Sequence, residues 1–528
     1  MNKNIRSLSM AFVGLLAIPL VGKAADWPFW GHDSSRNMVS DEKNLPESWD
    51  PGKYKLNSEE IDMTTTKNVK WIAKLGSQAY GNVTVSGGKV FVGTNNESPR
   101  DPNIKGDRGV LMCFDEKTGE FLWQLAAPKL GTGKVSDWEF LGICSSPAVE
   151  GNRVYIVTNR CEVMCLDVNG QADGNDGSFK EEGQYLAGPG KPPLKVGPKD
   201  ADIIWKLDMR EELGVFPHNI TNCAPLIFGD KVVVATSNGV DWTHTNIPNP
   251  KAPCLIMVDK NTGKLLGEEA SGVAARTLHS NWSSSAYGKI GDQEMIIFGG
   301  GDGICYGLDP KTVKNDDGSD ILKELWRYDC NPAEYRVKNG KPLKYATPDG
   351  PSEVIATPVF YKNRVYVPIG QDPEHGEGLG RFSCIDATKS GDVTKSATIW
   401  SYDKIHRSLS TPSIVDGLVY VGDFSGFVHC LDAETGKPYW VYDTKSHIWG
   451  STLVADGKVY IGTEDGDVVI LQAGKTMKEV AKMDMRSPIY ASPVVANGTL
   501  YIATPTHLYA IQQPKTASKA APRKVAKR

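Results

Sequence analysis

Four of the nine histidines share one sequence context. His218, His279, His406 and His447 each stand five to seven residues ahead of the aligned position of a recurring strand-like segment, Pro225, Ser285, Pro412 and Thr452. Asn222, Glu353, Arg407 and Arg486 lie in the same neighbourhood of their own copies, and Trp282, Trp449 and Tyr490 add flat apolar faces. Imidazoles, cations, one carboxylate and aromatic rings gathered in one place would hold a small planar or anionic ligand through charge-assisted hydrogen bonds and stacking. A peptide or a sugar fits the same description, and so does a loop or channel wall satisfied by water. Imidazole is also a common transition-metal ligand. Single histidines on separate structural units are nevertheless expected to stay too far apart to share an ion.

A second cluster of donors is local. Asp167, Asn169, Asp173, Asn175 and Asp176 fall within DVNGQADGNDG and form a candidate calcium loop of oxygen side chains with glycines between them. Gln171 interrupts the pattern and no glutamate closes it, so a plain Asp/Asn/Gly turn is the simpler reading. No Ser-His-Asp order, phosphate-binding loop or paired-carboxylate motif stands out, and no catalytic residue is assigned.

These residues are positioned by a repeat. One segment type reads SSPAVEGNRVYIV from Ser145, ATPVFYKNRVYV from Ala356, STPSIVDGLVYV from Ser410, STLVADGKVYI from Ser451 and ASPVVANGTLYI from Ala491. Each is a strand, a turn and a second strand rich in Val, Tyr and Ile. A turn signature follows, DEKTG at Asp115, DKNTG at Asp259 and DAETG at Asp432. There Asp and Thr bond the turn backbone and Gly takes positive φ. A third segment closes each unit on a tryptophan: EFLWQLA, DIIWKLD, KELWRYD, ATIWSYD and KPYWVYD. A lone unit cannot bury that indole, whereas stacked units can.

Four strands per unit with a bare period near 40 residues is a β-propeller pattern. Eight first strands are counted, near Val83, Pro147, Pro225, Ser285, Pro358, Pro412, Thr452 and Pro493. The last unit stops after three strands, and VKWIAKL from Val69 supplies its missing fourth. The expected fold is all-β, an eight-bladed β-propeller of four-stranded antiparallel blades closed by the N-terminal strand. In that geometry the residues leading into the first strands meet at one mouth of the central channel.

Length and composition agree with a folded repeat protein. The net charge of −4 argues against a nucleic-acid partner. Residues 1–24 read as a signal peptide: Lys3 and Arg6, an apolar run from Leu8 to Val21, then small residues at Ala24 and Ala25. No cysteine lies near the cleavage point for lipid attachment, and no later segment is apolar enough to span a bilayer. A monomer in the periplasm or secreted is expected. Residues 25–68 form a polar leader, 69–513 the propeller, and 514–528 a basic tail. Ten cysteines occur, and Cys113, Cys165, Cys384 and Cys430 share one context (MCFD, MCLD, SCID, HCLD), which points to small buried residues rather than disulfides.

The D-x-x-T-G turn, the Trp four residues after its Gly (Gly119 to Trp123, Gly436 to Trp440) and the preceding small-Leu-Asp triplet resemble the pyrroloquinoline-quinone (PQQ) repeat. Residues 69–512 are similar to the quinoprotein alcohol dehydrogenase-like superfamily. That group includes quinone-dependent dehydrogenases and a non-enzymatic propeller lipoprotein of outer-membrane protein assembly. The resemblance implies fold more than function, since the motif encodes a turn and interblade packing. The adjacent-cysteine disulfide of the large dehydrogenases, their cytochrome motif and the lipid-modified cysteine of the lipoprotein are all missing. A binding module for a small ligand or a protein is therefore the leading expectation. The alternatives are an envelope assembly scaffold and a PQQ-dependent dehydrogenase of alcohols or sugars. In the last, Trp282 or Trp449 would stack on PQQ, Glu353 or a loop aspartate would hold calcium or act as base, and an arginine would stabilise the reduced quinone.

Overall fold

The second and third strands of each unit are apolar on both faces, and the structure shows why. In this computed structural model, which describes residues 25–513, Leu418–Gly422, Lys458–Gly462 and Thr499–Ala503 are buried at every position. Each lies within a sheet covered on both sides by neighbouring sheets, so alternation of polar and apolar residues is lost. The fourth strand Glu479–Asp484, by contrast, has no buried position.

The chain is all-β and runs as successive four-stranded antiparallel meanders. They span residues 84–128, 148–208, 226–269, 286–329, 359–402, 413–443 and 453–484. The last takes Val494–Ala496, Thr499–Ala503 and His507–Ile511 from the C-terminal end and Val69–Lys74 from the N-terminal end. In that pairing Ala510 faces Trp71. The expected N-terminal closure is thus present in the hydrogen-bond register. Apolar cores form between consecutive sheets, and the core of the first sheet (Val90, Val110, Phe114) is continuous with that of the last (Tyr501, Leu508, Trp71).

The repeat motif explains the joints. Asp115 Oδ1 accepts from the Lys117 and Thr118 amides and the Thr118 hydroxyl, and Asp259 and Asp432 make the same set. Gly119, at φ +75°, lies so close to the Trp71 ring that a Cβ there would stand 2.6 Å from it. Trp71 Nε1 donates to Glu116 O at 2.9 Å. The indoles of Trp123, Trp205, Trp400 and Trp440 likewise donate to a carbonyl of the next sheet, Val168, Lys260, Ala433 and Gly474. A cysteine faces four of these tryptophans across the strand pair: Cys113, Cys165, Cys384 and Cys430. A small side chain is needed beside each indole, and all ten cysteines are free thiols.

Residues 25–68 are more than a polar leader. Their first part lies across the first strands of the successive sheets. Trp27 pairs with Val85, and Pro28 O accepts from Val149 N. Ser34 O and Ser35 O accept from Tyr287 N and Phe360 N, and the Asn37 side chain donates through Nδ2 to Ile414 O and accepts at Oδ1 from Ile414 N. Val39–Ser40 adds a parallel strand beside Leu453–Ala455, and Ala25 O accepts from Asn497 N. Arg36 is fully buried beneath this crossing and donates to the carbonyls of Trp30, Ala224, Pro225 and Ser285. Burial lowers its guanidinium pKa to about 10. Sequence reading took the segment only as a polar leader, because its side chains do not reveal the backbone bonds that it makes to several sheets.

No helix of the described residues is long and apolar enough to cross a membrane. The signal-peptide and basic-tail readings fall on residues 1–24 and 514–528, outside the described residues.

Candidate functional site

A cavity of about 360 Å³ opens between the sheets. Trp30 of the leader is one of its lining residues. Its walls carry Trp138, Trp282 and Trp449 together with Tyr80 and Tyr490. Tyr80 and Tyr490 stack at 4.9 Å between ring centroids, and Trp449 meets Tyr490 edge-on at 5.7 Å. Trp449 is oriented by its Nε1 bond to Glu464 at 3.1 Å, and Trp282 by bonds to the carbonyls of His218 and Ile220. Among the lining residues the charged groups are Asp372 and Glu374.

Beside the cavity four imidazoles gather. His218 precedes strand Leu226–Phe228, and His279 precedes Ala286–Ile290. His244 and His375 come from long loops between the second and third strands of their sheets. Ring centroids are 4.3 Å apart for His218 and His279, 4.9 Å for His218 and His244, 4.3 Å for His244 and His375, and 4.7 Å for His279 and His375. One ligand nitrogen each of His218, His244 and His279 lies within 4.8 Å of the others, and His279, Asp372 and His375 form a second such trio. The expectation that single histidines from separate units stay apart is corrected: the loops bring two additional rings inward to meet the two at the channel.

The cluster is held from behind. His218 Nδ1 donates to Val240 O at 2.7 Å. His279 Nδ1 faces the Tyr345 hydroxyl at 3.5 Å, and that hydroxyl donates to Glu353 Oε2 at 3.2 Å and accepts from the Asp372 amide at 3.0 Å. Glu353 Oε1 also accepts from Ser280 N. Burial drives the Glu353 carboxyl well above the usual carboxylate range. Burial lowers His218 to about 4, and it also lowers His279 and His244, with the neighbouring imidazoles adding to each. These rings are neutral at pH 7.

The other residues singled out from sequence are placed as follows. Trp282, Trp449, Tyr490 and Asn222 line the cavity. Glu353 stands behind the histidines. His406 bonds Asp423 at 3.0 Å, and Asp423 is shared with His429 at 2.9 Å. His447 donates to Phe424 O and stacks on its ring at 4.5 Å, with the Arg407 guanidinium 4.6 Å from the same ring. Neither His406 nor His447 joins the four-ring cluster. Arg486 is turned away, bonded to Gly52 O and ion-paired with Asp50 at 3.1 Å. Sequence reading missed His244, His375, Asp372, Tyr345 and Trp138. A signal existed: the connection between second and third strands is a four-residue turn in the two compact units, DFSG and TEDG, but runs long through VDWTHTNIPNP and QDPEHGEG.

Neither expected cofactor finds fitting partners. PQQ is a planar tricarboxylate. The cavity offers flat faces, but the charged lining is two carboxylates without a lysine or arginine, so a trianion would be repelled rather than clamped. In the candidate calcium loop, Asp167 is occupied by Arg153 and the Asn169 amide. Asn169 points its NH2 at Asp173, and Lys180 donates to the Asn175 side-chain oxygen. The Asp176 amide bonds Asp202. Oxygens of Asp167, Asp173 and Asn175 thus accept from N–H donors, which leaves fewer of them for a cation.

A family model described as outer membrane protein assembly factor BamB matches residues 61–281 and 384–479, together more than half of the chain. No curated protein sequence matches. The crystal structure of BamB from Moraxella catarrhalis superposes with a TM-score of 0.51 at 14% identity, covering 85% of this chain and 98% of that one. A europium-containing methanol dehydrogenase superposes with a TM-score of 0.54 at 13% identity, covering 92% and 90%. At such identities the likeness is one of fold. The docked tryptophans, the Asp-Thr-Gly turns and the matching family model together make this chain a member of the PQQ-like repeat β-propellers, in the family described by BamB and within the quinoprotein alcohol dehydrogenase-like superfamily.

Proposed function

We propose that the chain is an eight-bladed propeller closed by Val69–Lys74, exported by residues 1–24, that binds a small planar ligand at its one open channel mouth. The ring reading is supported by the short leader crossing, which reaches first strands from one end of the repeat to the other. Strands that share one short segment must converge on a common axis. The observation that carries the binding reading is the cavity of about 360 Å³ lined by four tryptophans and two tyrosines. A site of this size and lining suits one flat molecule held by stacking, with a few polar groups for orientation. Asp372 and Glu374 favour a neutral or cationic ligand over an anionic one.

Thermal-shift and tryptophan-quenching titrations with matched planar cations, neutral compounds and carboxylates test this. Cations and neutral compounds should bind, and Trp282→Ala or Trp449→Ala should weaken them at least tenfold. Exclusive binding of carboxylates, or loss of none of the affinity in both variants, would overturn it. The same titration with PQQ and calcium, read by absorbance and dye-linked oxidation, addresses the dehydrogenase alternative. The envelope-scaffold reading draws its support from the family description alone, and a copurified partner that survives loss of Trp282 would favour it.

A further inference from the structure

The geometry points to a transition-metal centre on the wall of the channel mouth, in which His218, His244 and His279 hold one divalent first-row ion through their Nε2 atoms and His375 or Asp372 completes its coordination. This goes beyond the binding of a planar ligand and does not depend on it. His218 and His279 are 1% and 0% exposed. The Nε2 atoms of His218, His244 and His279 are all buried and have no hydrogen-bond partner. One ligand atom of each ring lies within 4.8 Å of the others, and a buried nitrogen without a partner is costly. A single ion relieves all three.

The chemistry of the donors selects the ion. Neutral imidazole suits zinc, copper, nickel and iron, whereas calcium and magnesium take oxygen ligands. At metal–nitrogen distances of 2.0–2.1 Å the nitrogens of a tetrahedral site stand about 3.3 Å apart, so ligand atoms now within 4.8 Å close by at most about 1.5 Å. The supporting bonds match what such ligands require. His218 Nδ1–H is committed to Val240 O, which leaves Nε2 as the free lone pair. His279 is backed by Tyr345 and, through it, Glu353. His375 Nδ1 is held by Asp372 at 3.1 Å. Such second contacts fix the ring orientation of metal-bound histidines. Asp372 also lines the cavity, so the ion would adjoin the space where a ligand stacks.

The test uses untagged full-length chain, stripped with a chelator and dialysed. Zinc is titrated calorimetrically, and copper(II) is added for electron paramagnetic resonance. One equivalent of zinc should bind, the copper spectrum should show imidazole nitrogen couplings, and His279→Gln should weaken zinc at least 100-fold. His244→Gln, on the loop nearer solvent, is the second variant should His279→Gln fold poorly by circular dichroism. His447→Gln, outside the cluster, should match the parent. Tyr345→Phe, a positioning change, should weaken zinc several-fold while keeping one equivalent. Absence of stoichiometric binding in the parent, or equal zinc affinity in the parent and His244→Gln, would overturn the centre. Either result leaves the planar-ligand titrations independent.

Discussion

Truncating Trp71 to alanine tests whether the chain is a closed ring in solution. The indole belongs to the strand that comes from the far N-terminal side, yet it is 5% exposed and docks on the turn of the first sheet. Its loss removes the contact with Gly119 and the 6.0 Å ring contact with Tyr501. It also leaves Glu116 O without its donor. Burying and then deleting a Trp side chain costs about 3–5 kcal/mol, of which about 1 kcal/mol is the hydrogen bond. Trp440 is the internal control, since it makes the same joint between neighbouring sheets through Gly474 O at 2.8 Å. Urea unfolding followed by near-ultraviolet circular dichroism should give Trp71→Ala and Trp440→Ala similar losses. Trp71→Phe should lose about 1 kcal/mol, because most apolar area stays buried. Limited proteolysis should cut Trp71→Ala first near the N-terminal strand. A Trp71→Ala protein within about 0.5 kcal/mol of the parent, beside a strongly destabilised Trp440→Ala, would refute closure.

Further outcomes follow from individual residues. Arg36→Met should cost roughly 3–5 kcal/mol, because four buried carbonyls lose a charged donor. Arg36→Lys should not restore it, as an ammonium cannot reproduce the fork. Gly119→Ala should be more damaging than Gly151→Ala: both have positive φ, but a Cβ at Gly119 strikes the Trp71 ring while Gly151 faces open space. For pH, His218 titrates near 4 when folded and near 6.5 when unfolded. The unfolded chain therefore binds the extra proton first. Its contribution is whole above about pH 6.5, erodes as pH falls toward 4, and amounts to about 3 kcal/mol at the end. Stability curves of metal-free parent and His218→Gln should diverge over that window, and parallel curves would contradict it.

Sequence was informative wherever one side chain's role is set by its immediate neighbours. The Asp-Thr-Gly turns close on themselves within a few residues, so Asp115, Asp259 and Asp432 could be read as structural. The strand-facing cysteines and tryptophans repeat because each joint repeats. The link between Val69–Lys74 and the C-terminal strands was also legible, since an incomplete unit at one end matched a spare strand at the other. Trp282, Trp449 and Tyr490, singled out from the approaches to first strands, line the cavity.

What depended on tertiary structure was how loops of unequal length fall back over that channel. His244 and His375 sit on insertions with no repeat to align them, and their path is fixed by contacts with other sheets. Arg486 shared the register of the site residues but is drawn off by Asp50 and Gly52, a partner more than four hundred residues away in sequence. The leader read only as polar because much of its order comes from backbone hydrogen bonds to several sheets, which side-chain identity does not encode. Repeats specify the ring through local physics. The convergence of four imidazoles is set by the exceptions to the repeat, and those are resolved only in three dimensions.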